Sequence, residues 1–360
     1  MDFIKKRILW ADYAKFIAIY FVVLGHSDLP VGDLRCYIYS FHLPLFFIIS
    51  GYFDNSDKYT LKSFLYTHIK SLIFPYVCFN VINIPFSYIS VYLHPEFYPG
   101  IDELDEYILY PLIGILYGDD TVTSSSFLPC GPLWFLVALF FMKLFIYLLR
   151  TLVKTWKYDF VYWLIVSVVF VLFFLLIGYK FTIFSLNSVF LSIPFYIMGV
   201  LIRSNSIVIQ FDNKLFYMIL LICIAFYMWN VALNNGTVDI TSGIFGHSLI
   251  MFYINGLLGS YMVLLICGWF NKPIKIVQYV GANTIIVLGV HLITLRIAKF
   301  FMIYLSDIFI NNDVMLHSFI ISLFSFVFCY PFIILINRFA PWMLGRWEAG
   351  KISGLIMKSY

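Results

Sequence analysis

Charged residues are scarce in this sequence. Asp, Glu, Lys and Arg make up only 12% of the 360 residues, whereas 62% are hydrophobic and 21% are aromatic. Soluble domains carry about twice that share of charged residues. The composition therefore excludes an ordinary soluble protein and predicts a polytopic membrane protein. The net charge of +4 is too small and too scattered to indicate a nucleic-acid partner, so none is expected.

Cysteine and the glycine-rich cofactor motifs are also poorly represented. The six cysteines include no C-x-x-C pair and have no metal-ligand spacing, and no P-loop or Rossmann glycine cluster is present, so no metal site is expected. Cys36 and Cys130 fall near the predicted outer face, where the sequence alone leaves a disulfide open. We find no internal repeat in the sequence and expect no soluble appended domain.

Long apolar runs are abundant, and they are bounded by charges or by proline and glycine. Most are about 20 residues long, which is the length that an α-helix needs to cross a bilayer. We therefore predict an all-α, polytopic membrane protein with about ten transmembrane helices. The predicted spans are 8–27, 36–53, 64–92, 131–150, 159–180, 184–202, 214–234, 247–269, 283–305 and 314–338. Pro75 and Pro85 should kink the long third span.

The basic residues predict the orientation of these spans. With the N-terminus inside, Arg35 and Lys180 are the basic residues assigned to outer loops, and most other Lys and Arg fall in cytoplasmic segments. Both termini are therefore predicted to be cytoplasmic, and the longest loop, about 93–130, to be external. The richness in Ile, Phe, Tyr, Asn and Lys is typical of AT-rich bacterial genomes, so we expect a multi-pass protein of the bacterial cytoplasmic (inner) membrane.

The first predicted span carries polar residues on one face. Lys15 and His26 are eleven positions apart, which at 3.6 residues per turn leaves them within about 20° of each other and roughly 16 Å apart along the axis. Asp12 lies three residues before Lys15, on the same face. On the predicted topology, Lys15 lies in the inner half of the span and His26 near its outer end. Ionisable residues at membrane depth indicate a functional site.

Polar side chains of other spans fall at a similar depth. Arg35 and His42 lie in the outer half of the second predicted span, His291 lies near the middle of the ninth, and Arg296 lies beyond it toward the outside. Trp134 begins the fourth span. Because these side chains converge on one level, the sequence predicts a polar cavity there.

Each of these residues also has a purely structural interpretation. Asp12 and Lys15 could form an ion pair, Arg35 and Arg296 could extend to the lipid headgroups, and Trp134 could belong to an interfacial aromatic belt. The residues alone leave two functions open. One is a proton-coupled transporter of a sugar or glycolipid, and the other is an enzyme that moves a group from a cytoplasmic donor to an outer acceptor.

The opening of the chain resembles a known family. The segments DYAKFIAIYFVVLGH (12–26) and YSFHLPLFFIISGYF (39–53) are similar to the start of the integral-membrane acyltransferase 3 family, and most similar to its fucose 4-O-acetylase-like branch. The signature of that family is a basic residue, ten intervening positions and a histidine. Lys15 and His26 fit it, with Lys where many members have Arg, and Asp12 matches the acid three positions earlier.

The resemblance continues more weakly along the chain. GPLWFLVALF from Gly131, SIPFYIMGVLI from Ser192 and GANTIIVLGVHL from Gly281 are similar to later segments of the family. The resemblance thus implies a single integral-membrane acyltransferase domain over 1–360.

The resemblance also implies an activity. Family members O-acylate carbohydrates, usually by acetylation, with cytoplasmic acetyl-CoA as co-substrate and an extracytoplasmic or lipid-linked sugar or polysaccharide as acceptor. By position, His26 would be the catalytic base or a transient acyl carrier, Lys15 would engage the acyl-CoA, and Asp12 would orient or neutralise Lys15. The expected partners are acyl-CoA, a carbohydrate and membrane lipids. The residues that we assign to substrate binding are His42, Arg35, Trp134, His291 and Arg296.

Overall fold

The computed structural model describes residues 8–27, 29–30, 32–93, 112, 114–118, 131–153, 160–176, 180, 183–204, 214–270, 272–309 and 314–347. Over these residues the regular elements are all helices and no strand forms. The prediction of an all-α protein is confirmed. The predicted outer loop, about 93–130, lies outside the described residues except at its edges and at 112 and 114–118.

Thirteen α-helices are defined in the described part of the chain. They are α1 (Leu9–Gly25), α2 (Asp33–Tyr39), α3 (His42–Tyr52), α4 (Leu61–His68), α5 (Phe74–Leu93), α6 (Trp134–Leu152), α7 (Phe160–Leu176), α8 (Leu186–Ser204), α9 (Lys214–Asn235), α10 (Leu249–Gly268), α11 (Lys275–Gly281), α12 (Thr284–Phe309) and α13 (Val314–Phe339).

The helices match the predicted spans closely. Among the described residues, eight helical segments are long and apolar enough to cross a membrane, and they coincide with the second to fourth and sixth to tenth predicted spans. The first and fifth spans correspond to α1 and α7, which have 17 residues each. A multi-pass membrane protein is thus confirmed, whereas the count of ten spans and the cytoplasmic termini stay predictions.

The second predicted span is two helices rather than one. The chain breaks between α2 and α3, at Ser40 and Phe41. Pro44 gives a physical reason, because in a continuous helix its ring would collide with the carbonyl of Ser40, four residues earlier. In the first turn of α3, by contrast, its missing N–H is not needed. The break places His42 at the start of α3, where it is 3% exposed.

The third predicted span is interrupted near its first proline. A π-helical turn, Ile69–Ile73, separates α4 from α5, and Pro75 follows as the second residue of α5. A π-turn of this kind relieves the strain that a proline introduces into a helix. Pro85 lies inside α5.

Helices α3 and α8 pack with their backbones in contact. A Cβ atom built on Gly51 would overlap the carbonyl of Tyr196, and one built on Gly199 would overlap the carbonyl of Ile48. Small residues that let helix backbones approach this closely are a common device of membrane bundles, where burial from water provides no driving force. The contact therefore fixes α3, and with it His42, against a rigid neighbour.

Basic residues gather at one end of the bundle, which we call the basic end (Lys58, Arg150, Arg203, Lys272 and Arg346). Arg150 forms an ion pair with Asp54, and Arg203 donates to the Asp54 carbonyl at 2.7 Å. Tyr13 near the start of α1 donates to the Lys272 carbonyl at 2.9 Å. Segments that the charge pattern assigns to the cytoplasmic side thus lie together, while the sidedness itself stays a prediction.

The contact between α3 and α8 can be tested by adding one methyl group. Gly51→Ala should lower the midpoint of thermal unfolding, since overpacking of this kind costs about 1–3 kcal/mol. Gly268→Ala, at the end of α10, is the matched control because a Cβ atom there meets nothing within 4 Å. Thermal unfolding of detergent-purified protein measures both. Equal midpoints for the two variants would show that the backbone contact does not limit stability.

Candidate active site

A cavity of about 810 Å³ lies between α1, α2, α3, the first turns of α6 and α12, and the segment 237–244. The residues that line the cavity are mostly apolar, and several polar residues lie among them. The residues named from the sequence that line it are Lys15, His26, Arg35, His42 and Trp134. Lys15 and His26 therefore face the same space, as their spacing on one helix predicted.

The end of α1 positions His26. The helix stops at Gly25, and the Ser27 hydroxyl donates to the Leu24 carbonyl at 2.8 Å, which satisfies one of the carbonyls left open at a helix end. The His26 Nδ1 lies 2.7 Å from the Val22 carbonyl oxygen. Because a carbonyl only accepts, Nδ1 carries the proton, and the lone pair of neutral His26 is on Nε2. The end of α1 thus determines which ring nitrogen of neutral His26 can accept a proton.

Two further histidines adopt the same arrangement beside it. The His42 Nδ1 lies 2.8 Å from the Ile38 carbonyl, and the His291 Nδ1 lies 2.8 Å from the Leu288 carbonyl. The ring centroids of His26 and His291 are 5.2 Å apart. The His291 side chain is fully buried, and its Nε2 has no hydrogen-bond partner among the described residues. His291 therefore lies beneath the cavity wall and contacts the proposed base.

Lys15 occupies the other end of the polar stripe. Its Nζ lies 5.2 Å from the ring centroid of Phe53, just after α3, so the side chain reaches across from α1 toward the basic end. A cation over an aromatic face is stabilised where water is scarce. The cavity thus has a cation toward the basic end and a histidine farther along the same helix.

The structure does not bring Asp12 or Arg296 to the cavity wall. Asp12 is 6% exposed and lies at a tight packing point, where a Cβ on Gly281 would overlap its carbonyl. On α12 the cavity lining ends at Leu288, and Arg296 is farther along by about 12 Å, at 1.5 Å per residue. Sequence depth alone could not separate these positions from the wall.

Two wall residues were not singled out from the sequence. Tyr39 donates its hydroxyl to the Gly25 carbonyl at 3.1 Å, which joins α2 to the end of α1, and the Arg35 guanidinium lies 5.0 Å from its ring centroid. Asp239 lies between α9 and α10, and both its charge and that of Arg35 act on His26. The Asp-x-Thr-Ser pattern that begins at Asp239 is typical of an Asx turn. It was the local signal in the sequence that could have drawn attention to Asp239.

The cavity reaches deep into the bundle. His291 is near the start of α12, which continues to Phe309, about 27 Å farther at 1.5 Å per residue. Because His26 contacts His291, the end of α1 lies beside the first turns of α12 rather than level with the far end of that helix. A substrate from either side must therefore enter the bundle to reach His26.

A family model described as an acyltransferase domain matches residues 8–337 of the chain. This range contains every residue of the cavity wall described above. No curated protein and no solved structure matches the chain.

Cys36 allows the cavity mouth to be located. It is a free, half-buried cysteine on the cavity wall, whereas Cys267 is free and fully buried. A variant that keeps only Cys36 should react with a membrane-impermeant thiol reagent added outside intact cells, and one that keeps only Cys267 should not. Mass spectrometry of the purified protein measures the labelling. Reaction of Cys36 only after permeabilisation would reverse the predicted orientation.

Proposed function

The chain belongs to the acyltransferase 3 family, and on that premise we propose that it transfers an acetyl group from cytoplasmic acetyl-CoA to a hydroxyl of an extracytoplasmic or lipid-linked sugar or polysaccharide. The observation that supports this most directly is the shared cavity of Lys15 and His26. Their separation of roughly 16 Å is about the length of a pantetheine arm. A thioester that enters beside Lys15 would thus reach His26.

A second pocket supports entry of the donor from the basic end. It has a volume of about 460 Å³ and is lined in part by Thr67, Lys70, Ser71 and Arg346. Cations and hydroxyls are the groups that bind phosphates in proteins. This pocket shares Ile285 with the main cavity. The phosphates of CoA would bind at Lys70 and Arg346, and the pantetheine arm would pass Ile285 toward Lys15.

The chemistry at His26 follows from its tautomer. Nε2 removes the proton from the acceptor hydroxyl while the oxygen attacks the thioester carbonyl. The tetrahedral intermediate then breaks its C–S bond, and the CoA thiolate leaves with the proton from His26. Arg35 supplies positive charge near the developing oxyanion, a role for which Arg296 is less suited because it is not on the wall. Alternatively, Nε2 attacks the thioester carbonyl and displaces the CoA thiolate, and the acceptor hydroxyl then takes the acetyl group from Nε2 and gives its proton to the thiolate.

Removal of the base should abolish transfer. His26→Ala is expected to lower acetyl transfer by about 10²–10⁴-fold, the range for loss of a general base, and Lys15→Ala should raise the KM for acetyl-CoA. His317→Ala is the matched control, because His317 is exposed on α13 and does not line the cavity. Thiol release from acetyl-CoA by purified protein in nanodiscs, with and without crude cell-surface glycan, measures each variant.

The outcome separates the two functions that the sequence left open. Full activity of His26→Ala would refute the proposed mechanism. Absence of thiol release from the wild type, together with glycan uptake into sealed vesicles, would favour the proton-coupled transporter. Release that depends on His26 but not on glycan would favour the acetyl-histidine route.

A further inference from the structure

The segment 236–248 connects α9 to α10 and forms part of the cavity wall. We call this segment the roof loop. Asn235, which directly precedes this loop, bonds to the other end of it. The Asn235 Nδ2 donates to the Phe245 carbonyl at 2.8 Å, and its Oδ1 accepts from the Ser248 N–H at 2.8 Å. Asp239 and Ile244 exchange two backbone hydrogen bonds, of 2.8 and 2.7 Å. The loop is therefore a closed, internally bonded structure.

Helix α8 anchors the middle of the roof loop. The Ser188 hydroxyl donates to the Ile240 carbonyl at 2.8 Å, and the Asn187 Nδ2 donates to the Thr241 carbonyl at 2.9 Å. Val238 and Ile240 are each 2% exposed. The hydrogen bonds hold the carbonyls of Ile240 and Thr241, and burial holds the side chains of Val238 and Ile240. The polar residues among them are therefore held in place on the cavity wall.

The roof loop contributes oxygen-bearing residues to the cavity lining. Thr237, Asp239, Thr241 and Ser242 all line it. The Asp239 Oδ1 accepts from the Thr241 N–H at 3.1 Å, and Oδ2 accepts from the Ser242 hydroxyl at 2.7 Å. An ionised carboxylate can accept about four hydrogen bonds, so Asp239 is oriented by the loop and keeps capacity for a ligand.

Charged residues of both signs line the cavity near the roof loop. Arg35 and Asp239 both act on His26, and both line the cavity. This end of the cavity therefore offers a carboxylate to a ligand as well as a guanidinium. An anionic ligand would meet the Asp239 carboxylate, whereas a neutral polyol would donate its hydroxyls to it.

Trp134 adds an apolar surface to the lining of the same cavity. It is 6% exposed, begins α6, and lines the cavity. The indole is rigid and largely apolar, and it suits the C–H faces of a pyranose ring. An oxygen-rich loop, an aromatic plate and a histidine base on one cavity are the groups that sugar binding and activation need.

From this arrangement we infer that the roof loop is the acceptor subsite and that Asp239 binds hydroxyls of a neutral glycosyl unit. The inference rests on the proposed acetyl transfer and adds the class of acceptor and a residue that selects it. Adjacent hydroxyls of the sugar donate to the two Asp239 oxygens, and the hydroxyl to be acetylated lies toward His26.

Binding tests the subsite independently of catalysis. Full-length protein in nanodiscs is titrated calorimetrically with a panel of neutral methyl glycosides and the corresponding methyl uronides. We expect at least one neutral glycoside to bind more tightly than its uronide. Asp239→Asn should weaken that binding about tenfold or more, because hydrogen bonds to a charged group are the stronger ones.

The variants are chosen to separate binding from folding. Asp239→Asn keeps the side-chain oxygen that accepts from the Thr241 N–H. Thr237→Val, which removes one hydroxyl from the wall without touching the turn, should weaken binding a few-fold. Asp57→Asn, the same substitution at an exposed position outside the cavity, should bind like the wild type. In turnover with crude glycan, Asp239→Asn should raise the KM for glycan with little change in kcat.

The outcomes distinguish this inference from the proposed function. The inference is overturned by wild-type binding in Asp239→Asn, by tighter binding of uronides, or by no binding from any glycoside of the panel. Glycoside binding that depends on Asp239, without His26-dependent thiol release, would support the subsite and refute acetyl transfer. Thiol release that depends on His26 but is indifferent to Asp239 would support transfer and refute the subsite.

Discussion

The bond between a histidine Nδ1 and a helix carbonyl is the interaction on which this site depends. In an apolar bundle an unpaired imidazole N–H is costly, and His26, His42 and His291 each satisfy it with a carbonyl three or four residues earlier. His68 does the same with Phe64 at 2.9 Å, although it is not on the cavity wall. The bond is therefore a general structural solution. Its chemical value arises at His26 and His42, where the lone pair on Nε2 belongs to a side chain that lines the cavity.

Helix α3 shows how the scaffold and the site share one element. His42, Phe46 and Ser50 line the cavity, and their spacing of four residues places them on one face. Gly51 and Ile48 lie on another face, against α8. Overpacking at Gly51 would consequently displace the cavity wall as well as the helix contact. One short helix, which begins after the break at Ser40, therefore both lines the cavity and packs against α8.

The sequence predicted what depends on local geometry. Helix periodicity was enough to place Lys15 and His26 on one face, and apolar run length was enough to locate the spans. The break before α3 also had a signal in the sequence, because Pro44 disfavours an unbroken helix through Ser40. The position of Asp239 on the wall could not be predicted from the sequence. It depends on hydrogen bonds to the roof loop from Asn187 and Ser188, which are distant in the chain.

The depth of a residue within its predicted span was a weaker guide to which residues line the cavity. It assumes that all helices begin and end at the same two levels. Helix α1 ends beside His291, early in α12, so residues assigned to one depth are spread along the axis. Arg296 falls beyond the wall for this reason. His26 in turn lies deeper than the end of a full-length span would.

The hydrogen bonds that hold the roof loop beside the cavity favour an enzyme over a transporter. A transporter must expose its site alternately to the two sides, usually by movement of one group of helices against another. Here the roof loop is bonded to α8 and α9, and α3 is in backbone contact with α8. Opening would break several buried contacts at once. The proposed acyl transfer would need no such movement, because only the acyl group would pass from donor to acceptor at His26.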